Sequence, residues 1–366
     1  MAEIRPFCAY RPKKGLEEKI AALPYDVYSR QEACAVVKEN PFSFLAIDRA
    51  ETQFDDSVDT YAPEVYEKAR ELLWDRVQKG DFLREERPAY FIYELTMEGR
   101  VQTGIVATAS IDDYENGIIK KHENTRADKE EDRIRHVDIC GAQTGPIFLA
   151  YRRNEAIEKV VAKTKETEPL YDFVSEDGIR HRVFAIWRDS DMDIIRTSFA
   201  KIQEIYIADG DHRAASAVKV GLKRRAEKPD YDGTEEFNFF LSVLFPDSEL
   251  RIYDYNRVVK DLAGLSIEAF LLEMKKRFLV GEPQESAIRP EKKGAFSMFL
   301  SGKWYPCEFR EADRTDDPVK GLDVSLLQEL LLSPVLGIAD PKTDKRIDFV
   351  GGIRGLSELE RRENQS

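Results

Sequence analysis

The feature that most constrains the fold is a short apolar run that ends in Asp-Gly and is followed at once by a small-residue helix. Residues 205–208 are branched, aromatic or small and precede a turn signal, so they predict a buried strand. After Gly210, the apolar residues 214, 217, 218 and 221 recur at helical spacing. The pattern therefore predicts a strand, a tight turn and a helix, with these residues at the junction: Asp209, Asp211, His212 and Arg213.

Two interpretations of this junction fit the local pattern. The first N–H groups of a helix lack partners within it and its dipole favours negative charge, so a phosphate can bind there. Gly210 would allow close approach, and Arg213 would clamp the phosphate with two hydrogen bonds. Alternatively, Asp209 or Asp211 merely caps the helix, while His212 and Arg213 face water.

The charge balance narrows the class of partner. The 366 residues carry a formal net charge of −13, which argues against DNA or membrane binding as the main activity. No apolar run approaches the ~20 residues that a membrane span requires, and residues 1–5 begin no secretory signal. The four cysteines are widely separated. We therefore expect a cytoplasmic protein with free thiols.

A second informative stretch, residues 120–136, is almost free of apolar side chains. If it is helical, Arg126, Lys129, Arg133 and His136 form one basic stripe, and Asp132 is among the residues placed to orient those cations. The alternative is a solvated helix laced with weak ion pairs. Charge pattern alone does not choose between these interpretations.

Other segments predict a mixed α/β fold. Ser29 with Glu32 forms a capping-box pattern that opens a helix, and residues 42–47 resemble another buried strand. Residues 88–96 and 100–110 predict a hairpin, and the nearly all-apolar residues 237–245 predict a central strand. We expect residues 1–250 to form a sheet-based core and residues 251–366 a smaller C-terminal α+β part.

Several motifs in order carry a family resemblance. They are P-Y-D-V, N-P-F-S-F-L, K-x-H-E-x-T-R-x-D-K-x-x-D-R, A-Q-T-G-P, I-A-D-G-x-H-R-A-A-S-A, Y-N-R-V-V and F-V-G-G-x-R-G. Together they resemble domain-of-unknown-function family 1015 over nearly the whole chain. The D-G-x-H-R segment is also distantly similar to the phosphate-binding motif of the ParB and sulfiredoxin superfamily, which includes free serine kinases. That similarity implies a ParB/sulfiredoxin-like nucleotide-binding core.

The resemblance implies that Gly210, Asp211 and His212 contact phosphates and that Arg213 pairs with them. Asp211 departs from the family, which usually has His at this position. A carboxylate beside a polyphosphate repels it unless a cation intervenes. Either Asp211, with Asp209, holds Mg²⁺, or nucleotide binding is weakened in this chain.

The resulting hypothesis is a nucleotide-dependent phosphotransferase, a kinase, that acts on a small hydroxyl-bearing metabolite. Arg126, Lys129 and Arg133 would neutralise the transferring group. Glu123 and His122 are the first candidates for the general base, followed by Asp26 and His212. The expected cofactors are Mg²⁺ and ADP or ATP, with CTP as an alternative nucleotide.

Two other functions compete with this hypothesis. One is a non-catalytic sensor of a nucleotide or phosphometabolite, and the other is a hydrolase with a metal held by Asp209, Asp211, His212 and His122. A small molecule is the expected partner, and a homodimer is the assembly considered. Because Arg213 is expected to face out of the helix start, we expect Arg213→Ala to weaken nucleotide binding while leaving folding intact.

Overall fold

The computed structural model describes residues 2–121, 127–341 and 343–363, with the backbone alone for residues 127–129 and 353. The chain divides into two compact units, Met1–Leu250 and Arg251–Ser366. Over the described ranges, each helix is too short or too polar to span a membrane.

The first unit contains both strands and helices. Its strands are β1 (Ile4–Arg5), β2 (Tyr10–Pro12), β3 (Phe82–Arg84), β4 (Tyr90–Met97), β5 (Arg100–Ser110), β6 (Ile119–Lys120), β7 (Ile147–Tyr151), β8 (Tyr171–Val174), β9 (Arg180–Ile186), β10 (Ile205–Asp209) and β11 (Phe239–Pro246). Its helices are α1 (Glu17–Ile20), α2 (Arg30–Glu39), α3 (Leu45–Asp48), α4 (Pro63–Lys79), α5 (Ile111–Glu115), α6 (Ala127–Cys140), α7 (Glu155–Thr164), α8 (Asp189–Phe199) and α9 (Asp211–Glu227).

Nine of the described strands form one mixed sheet. Its order is β6-β10-β7-β11-β5-β4-β9-β8, with β1 paired to β5. The β6/β10 and β7/β11 pairs are parallel and the other pairs are antiparallel. As the apolar sequence predicted, β11 lies inside the sheet, because both of its edges pair with other strands. This confirms a mixed α/β class with a large sheet, whereas the ParB/sulfiredoxin-like core stays a prediction.

The strand–turn–helix prediction at Gly210 is confirmed. β10 ends at Asp209, Gly210 has φ 94° in the left-handed region that glycine favours, and α9 starts at Asp211. The small residues after Arg213 are buried, including Ala214 and Ser216, both of which are 0% exposed. Small side chains on this face let α9 lie close to the elements it packs against.

The expectations for residues 29–47 had mixed outcomes. The capping box is confirmed, because Ser29 Oγ accepts from Glu32 N at 3.3 Å and Glu32 Oε2 accepts from Ser29 N at 2.7 Å. The predicted strand over residues 42–47 is wrong, because Leu45–Asp48 is the short helix α3. A turn in which Ser43 N donates to Asn40 O leads into it. Short buried apolar runs do not distinguish a strand from a helix by periodicity.

The second unit has its own sheets and core. Its strands are β12 (Tyr255–Val259), β13 (Phe278–Val280), β14 (Ala295–Leu300), β15 (Lys303–Phe309) and β16 (Ile347–Gly351). Its helices are α10 (Ile267–Arg277), α11 (Asp323–Leu327), which continues as a π-helical turn over Gln328–Leu332, and α12 (Ser357–Glu363). The order β13-β15-β14 forms one sheet and β12-β16 another. A core that includes Phe270, Met274, Phe278 and Phe309 packs within this unit.

Candidate functional site

Arg213 joins two sequence motifs that lie far apart in the chain. Its Nη1 donates to the carbonyl oxygen of Pro146 at 2.8 Å, and its Nη2 donates to Asp209 Oδ2 at 3.0 Å. A Cβ at Gly145 or at Gly210 would lie 3.2 Å from this guanidinium, so both glycines leave room for it. The A-Q-T-G-P turn and the D-G-D-H-R turn therefore meet at one side chain.

This contact corrects one expectation. The Arg213 side chain is 25% exposed, so it does not simply face water at the start of the helix. Since it holds the turn at Pro146, removing it is expected to affect stability as well as binding.

Helices α6 and α9 lie side by side in the same direction. Ser216 Oγ, near the start of α9, lies 3.2 Å from the carbonyl oxygen of Glu130, near the start of α6. Farther along both helices, Arg224 Nη2 lies 2.7 Å from Asp138 Oδ1 and Lys223 also pairs with Asp138. The contacts advance together along both helices, so the two N-terminal ends lie at the same end of the pair.

Arg133, from the predicted basic stripe, is a buried cation. It is 8% exposed, and its guanidinium carbon lies 4.1 Å from the centre of the Tyr25 ring. Its Nε donates to Asp132 Oδ2 at 2.9 Å. Burial opposes the charge, but Asp132, Asp48 and Tyr25 together outweigh burial, so the pKa of Arg133 lies above its ordinary value. The guanidinium is therefore charged and fixed in place.

His136 lies one turn farther along α6 and is 3% exposed. Its Nε2 lies 3.1 Å from the carbonyl oxygen of Ile47, and since a carbonyl only accepts, Nε2 carries the proton. Burial, reinforced by the charge of Arg133, lowers the pKa of His136. Its ring is therefore neutral at pH 7 and serves in packing, which removes one cation from the predicted stripe.

The predicted alternative for this helix, a solvated set of ion pairs, describes its other face. Arg135 Nε and Glu131 Oε1 form a pair at 2.9 Å, and both side chains are about half exposed at 49% and 56%. Asp132 orients Arg133, as the sequence suggested. The structure thus gives the two faces of α6 different roles.

A cleft of about 230 Å³ opens beside Arg133. Its walls carry the acidic residues Asp26, Asp48 and Asp132 and the phenols of Tyr25 and Tyr66, among other side chains. Tyr66 donates its hydroxyl proton to Asp132 Oδ1 at 2.8 Å, and burial, reinforced by this carboxylate, raises the pKa of Tyr66. The cleft thus combines the buried Arg133 and a second cation, Arg49, with several oxygen acceptors.

The A-Q-T-G-P turn connects this cleft to Arg213, and Tyr25 lies within the field of both arginines. Burial raises the pKa of the Tyr25 hydroxyl, and the negative charges of Asp26 and Asp132 raise it further. The positive charges of Arg133 and Arg213 oppose this rise. Both arginines thus act electrostatically on the same phenol. Thr144, from the A-Q-T-G-P turn, donates to Asp48 Oδ1 at 2.8 Å, so this turn also reaches the wall of the cleft.

The remaining predicted residues occupy different environments. Asp26 is exposed and lies on the cleft wall. The Asp209 side chain is 72% exposed, whereas Asp211 is 5% exposed. The pKa of the nearby Tyr114 hydroxyl is raised mainly by burial, and the charge of Asp211 raises it further. His212 is half-buried at the first turn of α9.

Four predicted site residues cannot be placed in this geometry. His122, Glu123 and Arg126 lie outside the described residues, and so does the side chain of Lys129. Within the described ranges, no three His, Cys, Asp or Glu side chains form a group that could hold a metal ion.

Sequence reasoning did not identify Tyr25, Asp48, Tyr66 or Thr144 as parts of the site. Tyr25 and Thr144 lie within motifs that carry the family resemblance, P-Y-D-V and A-Q-T-G-P, and this was an available signal. Asp48 and Tyr66 lie outside those motifs, and only the folded chain shows them in the cleft.

Comparison with known proteins places the chain in a family. No curated protein and no solved structure matches it. A family model matches residues 4–325, which cover most of the 366 residues. The chain belongs to the family described as "Protein of unknown function (DUF1015)".

Proposed function

We propose that this protein is a nucleotide-dependent phosphotransferase that acts on a small hydroxyl-bearing metabolite. The observation that carries the proposal is that one turn links the two arginines: Arg213 donates to Pro146 O, and Thr144 of the same turn donates to Asp48 on the wall of the cleft beside Arg133. Phosphoryl transfer depends mainly on positioning and on neutralising negative charge. Converging cations are what such a reaction needs.

The helix arrangement supports the anionic part of the ligand. Helices α6 and α9 have 14 and 17 residues, so each is long enough to carry a substantial dipole. Their positive ends lie at the same end of the pair, and phosphate binding at such ends is a general property of helices. The distant similarity of D-G-x-H-R to the ParB and sulfiredoxin phosphate motif agrees with a phosphate at Gly210, Asp211, His212 and Arg213.

Arg213 must exchange partners in this proposal. In the structure its two terminal nitrogens donate to Pro146 O and Asp209 Oδ2. A phosphate would compete with the exposed carboxylate of Asp209 more readily than with the carbonyl, because an exposed ion pair contributes little. The Pro146 contact would then hold the guanidinium in position for the phosphate.

The acidic groups have two roles in this proposal. Asp26 is an exposed carboxylate on the cleft wall, so it can accept a proton from a substrate hydroxyl. Mg²⁺ usually takes one or two carboxylates together with phosphate oxygens, and Asp209 offers an exposed carboxylate beside the turn, with the buried Asp211 two residues farther along. When bound, Mg²⁺ would neutralise phosphate charge and offset the repulsion from Asp211.

The first experiment measures nucleotide binding. Thermal shift and calorimetry with ADP, ATP and CTP, with and without Mg²⁺, should reveal stabilisation, about 2.7 kcal/mol at a ligand concentration of 100 Kd. Arg213→Ala should weaken binding at least about tenfold. The matched control is Arg196→Ala, which removes another Arg–Asp pair at 3.0 Å. Equal nucleotide affinity in the two variants would exclude Arg213 as a phosphate ligand.

Asp209→Asn separates the two roles proposed for that carboxylate. Without Mg²⁺, the variant should bind nucleotide more tightly, because the competitor for Arg213 has lost its charge. With Mg²⁺, it should bind more weakly if Asp209 is a metal ligand. Tighter binding under both conditions would remove Asp209 from the metal site, and weaker binding under both would contradict its competition for Arg213.

Turnover distinguishes the enzyme from a sensor. Glu123→Gln and Asp26→Asn should keep nucleotide affinity while lowering phosphotransfer, and the variant with the larger loss identifies the base. Binding without turnover across a panel of hydroxyl-bearing metabolites would favour the sensor instead. A metal-dependent hydrolase gains no specific support from the described side chains.

A further inference from the structure

A second cavity, of about 340 Å³, lies between α2, α4 and the segment 46–53. Its walls include the apolar side chains of Val37 and Leu72 and the polar side chains of Thr52 and Gln53. This volume falls within the range of sites that bind small molecules, which are mostly apolar with a few polar groups.

The charged residues that line this cavity are all cationic. Lys38 and Arg76 line it, and no Asp or Glu is among the described residues that do so. This is unusual in a chain with a formal net charge of −13. The nearby cleft, by contrast, is lined by several carboxylates, including Asp26 and Asp48. The second cavity is therefore a local cationic site in an acidic protein.

Arg76 is the main polar group of this cavity. It is 7% exposed, and its Nη1 donates to the carbonyl oxygen of Phe42 at 2.7 Å while its Nη2 donates to that of Pro41. These bonds use two of the five N–H donors of a guanidinium. Within the described chain, no carboxylate forms an ion pair with it. Burial lowers the pKa of Arg76, and Asp81 and Asp75 offset this effect only in part.

We propose that the second cavity binds a small organic monoanion, a carboxylate on a short aliphatic chain. The carboxylate would pair with Arg76 and Lys38, and the chain would lie against Val37 and Leu72. A buried guanidinium with unused donors favours a flat, bidentate anion such as carboxylate. The absence of acidic groups from the described lining selects against a cationic ligand.

This site is distinct from the cleft beside Arg133. Ala46 and Thr52 line the second cavity, whereas Asp48 and Ala50, from the same segment, line the cleft. The short helix α3 and the turn that follows it thus separate the two. The carboxylate site does not depend on the proposed phosphotransferase, so either can fail without the other.

The first test is direct binding of defined probes by calorimetry on the full chain. Hexanoate should bind, and hexanamide, which has nearly the same shape but no charge, should bind at least about tenfold more weakly. Equal affinity for hexanoate and hexanamide, or binding of hexylamine instead, would overturn the proposal.

Location is tested by cysteine protection. Cys34 lines the second cavity and is half-buried, whereas Cys8 is also half-buried but does not line it. Hexanoate should slow alkylation of Cys34 by N-ethylmaleimide and leave the alkylation of Cys8 unchanged, as read by peptide mass spectrometry. Unchanged alkylation of Cys34 at saturating hexanoate would refute this location.

Charge reversal at an exposed residue avoids the risk of unfolding that Arg76 variants carry. Lys38→Glu should lower hexanoate affinity at least about tenfold, since it replaces attraction with repulsion. Lys159→Glu, at another exposed helical lysine, is the control and should leave the affinity unchanged. Equal affinity in both variants would refute a role for Lys38 and with it the proposed cationic site. Arg76→Lys keeps the charge but loses the planar guanidinium that can bind a carboxylate with two hydrogen bonds, so it should lower the affinity for hexanoate. Unchanged alkylation of Cys8 serves as the check that this variant is folded.

Discussion

Arg213→Ala tests whether one side chain holds two turns of the first unit together. The substitution removes a hydrogen bond from a charged donor to Pro146 O at 2.8 Å and an ion pair with Asp209 at 3.0 Å. Alanine is a good helix former, so the first turn of α9 is not weakened, but the buried part of the Arg213 side chain also loses its packing.

The cost follows from how exposed each contact is. A hydrogen bond from a charged group contributes about 1.5–3 kcal/mol when buried, and the Arg213 side chain is 25% exposed, which reduces this value. The pair with Asp209, whose side chain is 72% exposed, adds only a few tenths of a kcal/mol. We therefore expect a loss of about 1–2 kcal/mol in the free energy of unfolding.

Two measurements check this value. Urea unfolding followed by circular dichroism gives the change in stability, and hydrogen exchange with mass spectrometry gives its location. Amides in residues 141–151 should exchange faster in Arg213→Ala than in the parent, because the turn at Pro146 has lost its anchor. Residues in the second unit should exchange at the parental rate.

Arg196→Ala provides the reference for a pair that holds no turn. Its partner is Asp193 at 3.0 Å, and both side chains are largely exposed, at 59% and 67%. Its expected loss is below about 0.5 kcal/mol. If Arg213→Ala costs no more than Arg196→Ala and exchange in residues 141–151 is unchanged, the Pro146 contact does not stabilise the turn.

Three further substitutions test other parts of the first unit. Glu94, 1% exposed, accepts from Lys165 and Arg182; burial opposes its ionisation, but these bonds outweigh it and lower its pKa. Glu94→Gln should therefore lower the free energy of unfolding by about 2–3 kcal/mol above pH 5. The difference between variant and parent should vanish as the pH falls through the folded pKa, because the parent carboxyl is then protonated as well. A difference in urea unfolding that stays constant down to pH 3 would contradict this. Gly221→Ala should destabilise the protein by about 2 kcal/mol or more, because the new Cβ would lie 2.4 Å from the carbonyl oxygen of Phe237. A thermal midpoint equal to that of the parent would show that α9 can move away to relieve this clash. Asn154→Ala removes an N-cap that accepts from two amides of α7 and should cost about 1 kcal/mol in urea unfolding, whereas no change would mean that water replaces the cap.

Local chemistry explains which elements the sequence could predict. The strand–turn–helix at Gly210 and the capping box at Ser29 each depend on residues within a few positions of one another, and both are confirmed. The strand expected over residues 42–47 failed, since four to six apolar residues satisfy a buried helix as well as a strand.

The site could be predicted only in part, because its central contacts are long-range. Periodicity placed Arg133 and His136 on one stripe of α6, but it could not say whether ligand or core would cover that stripe. In the structure both residues are buried and both also line the cleft, while the other two side chains of the stripe lie outside the described residues. The partner of Arg213 at Pro146 lies 67 residues away, a distance at which spacing carries no information.

The burial of Arg133 also changes how the cations would work. A mobile surface arginine loses side-chain entropy when it binds phosphate, whereas Arg133 is already held by Asp132 and by the ring of Tyr25. Its charge therefore acts through the field it creates rather than through new bonds. Arg213, partly exposed and paired with an exposed carboxylate, is the residue that would exchange partners in the proposed phosphate site. In the proposed site, Arg133 would supply a preorganised positive field and Arg213 would bind the ligand directly. Arg213 is therefore the more informative residue to change first.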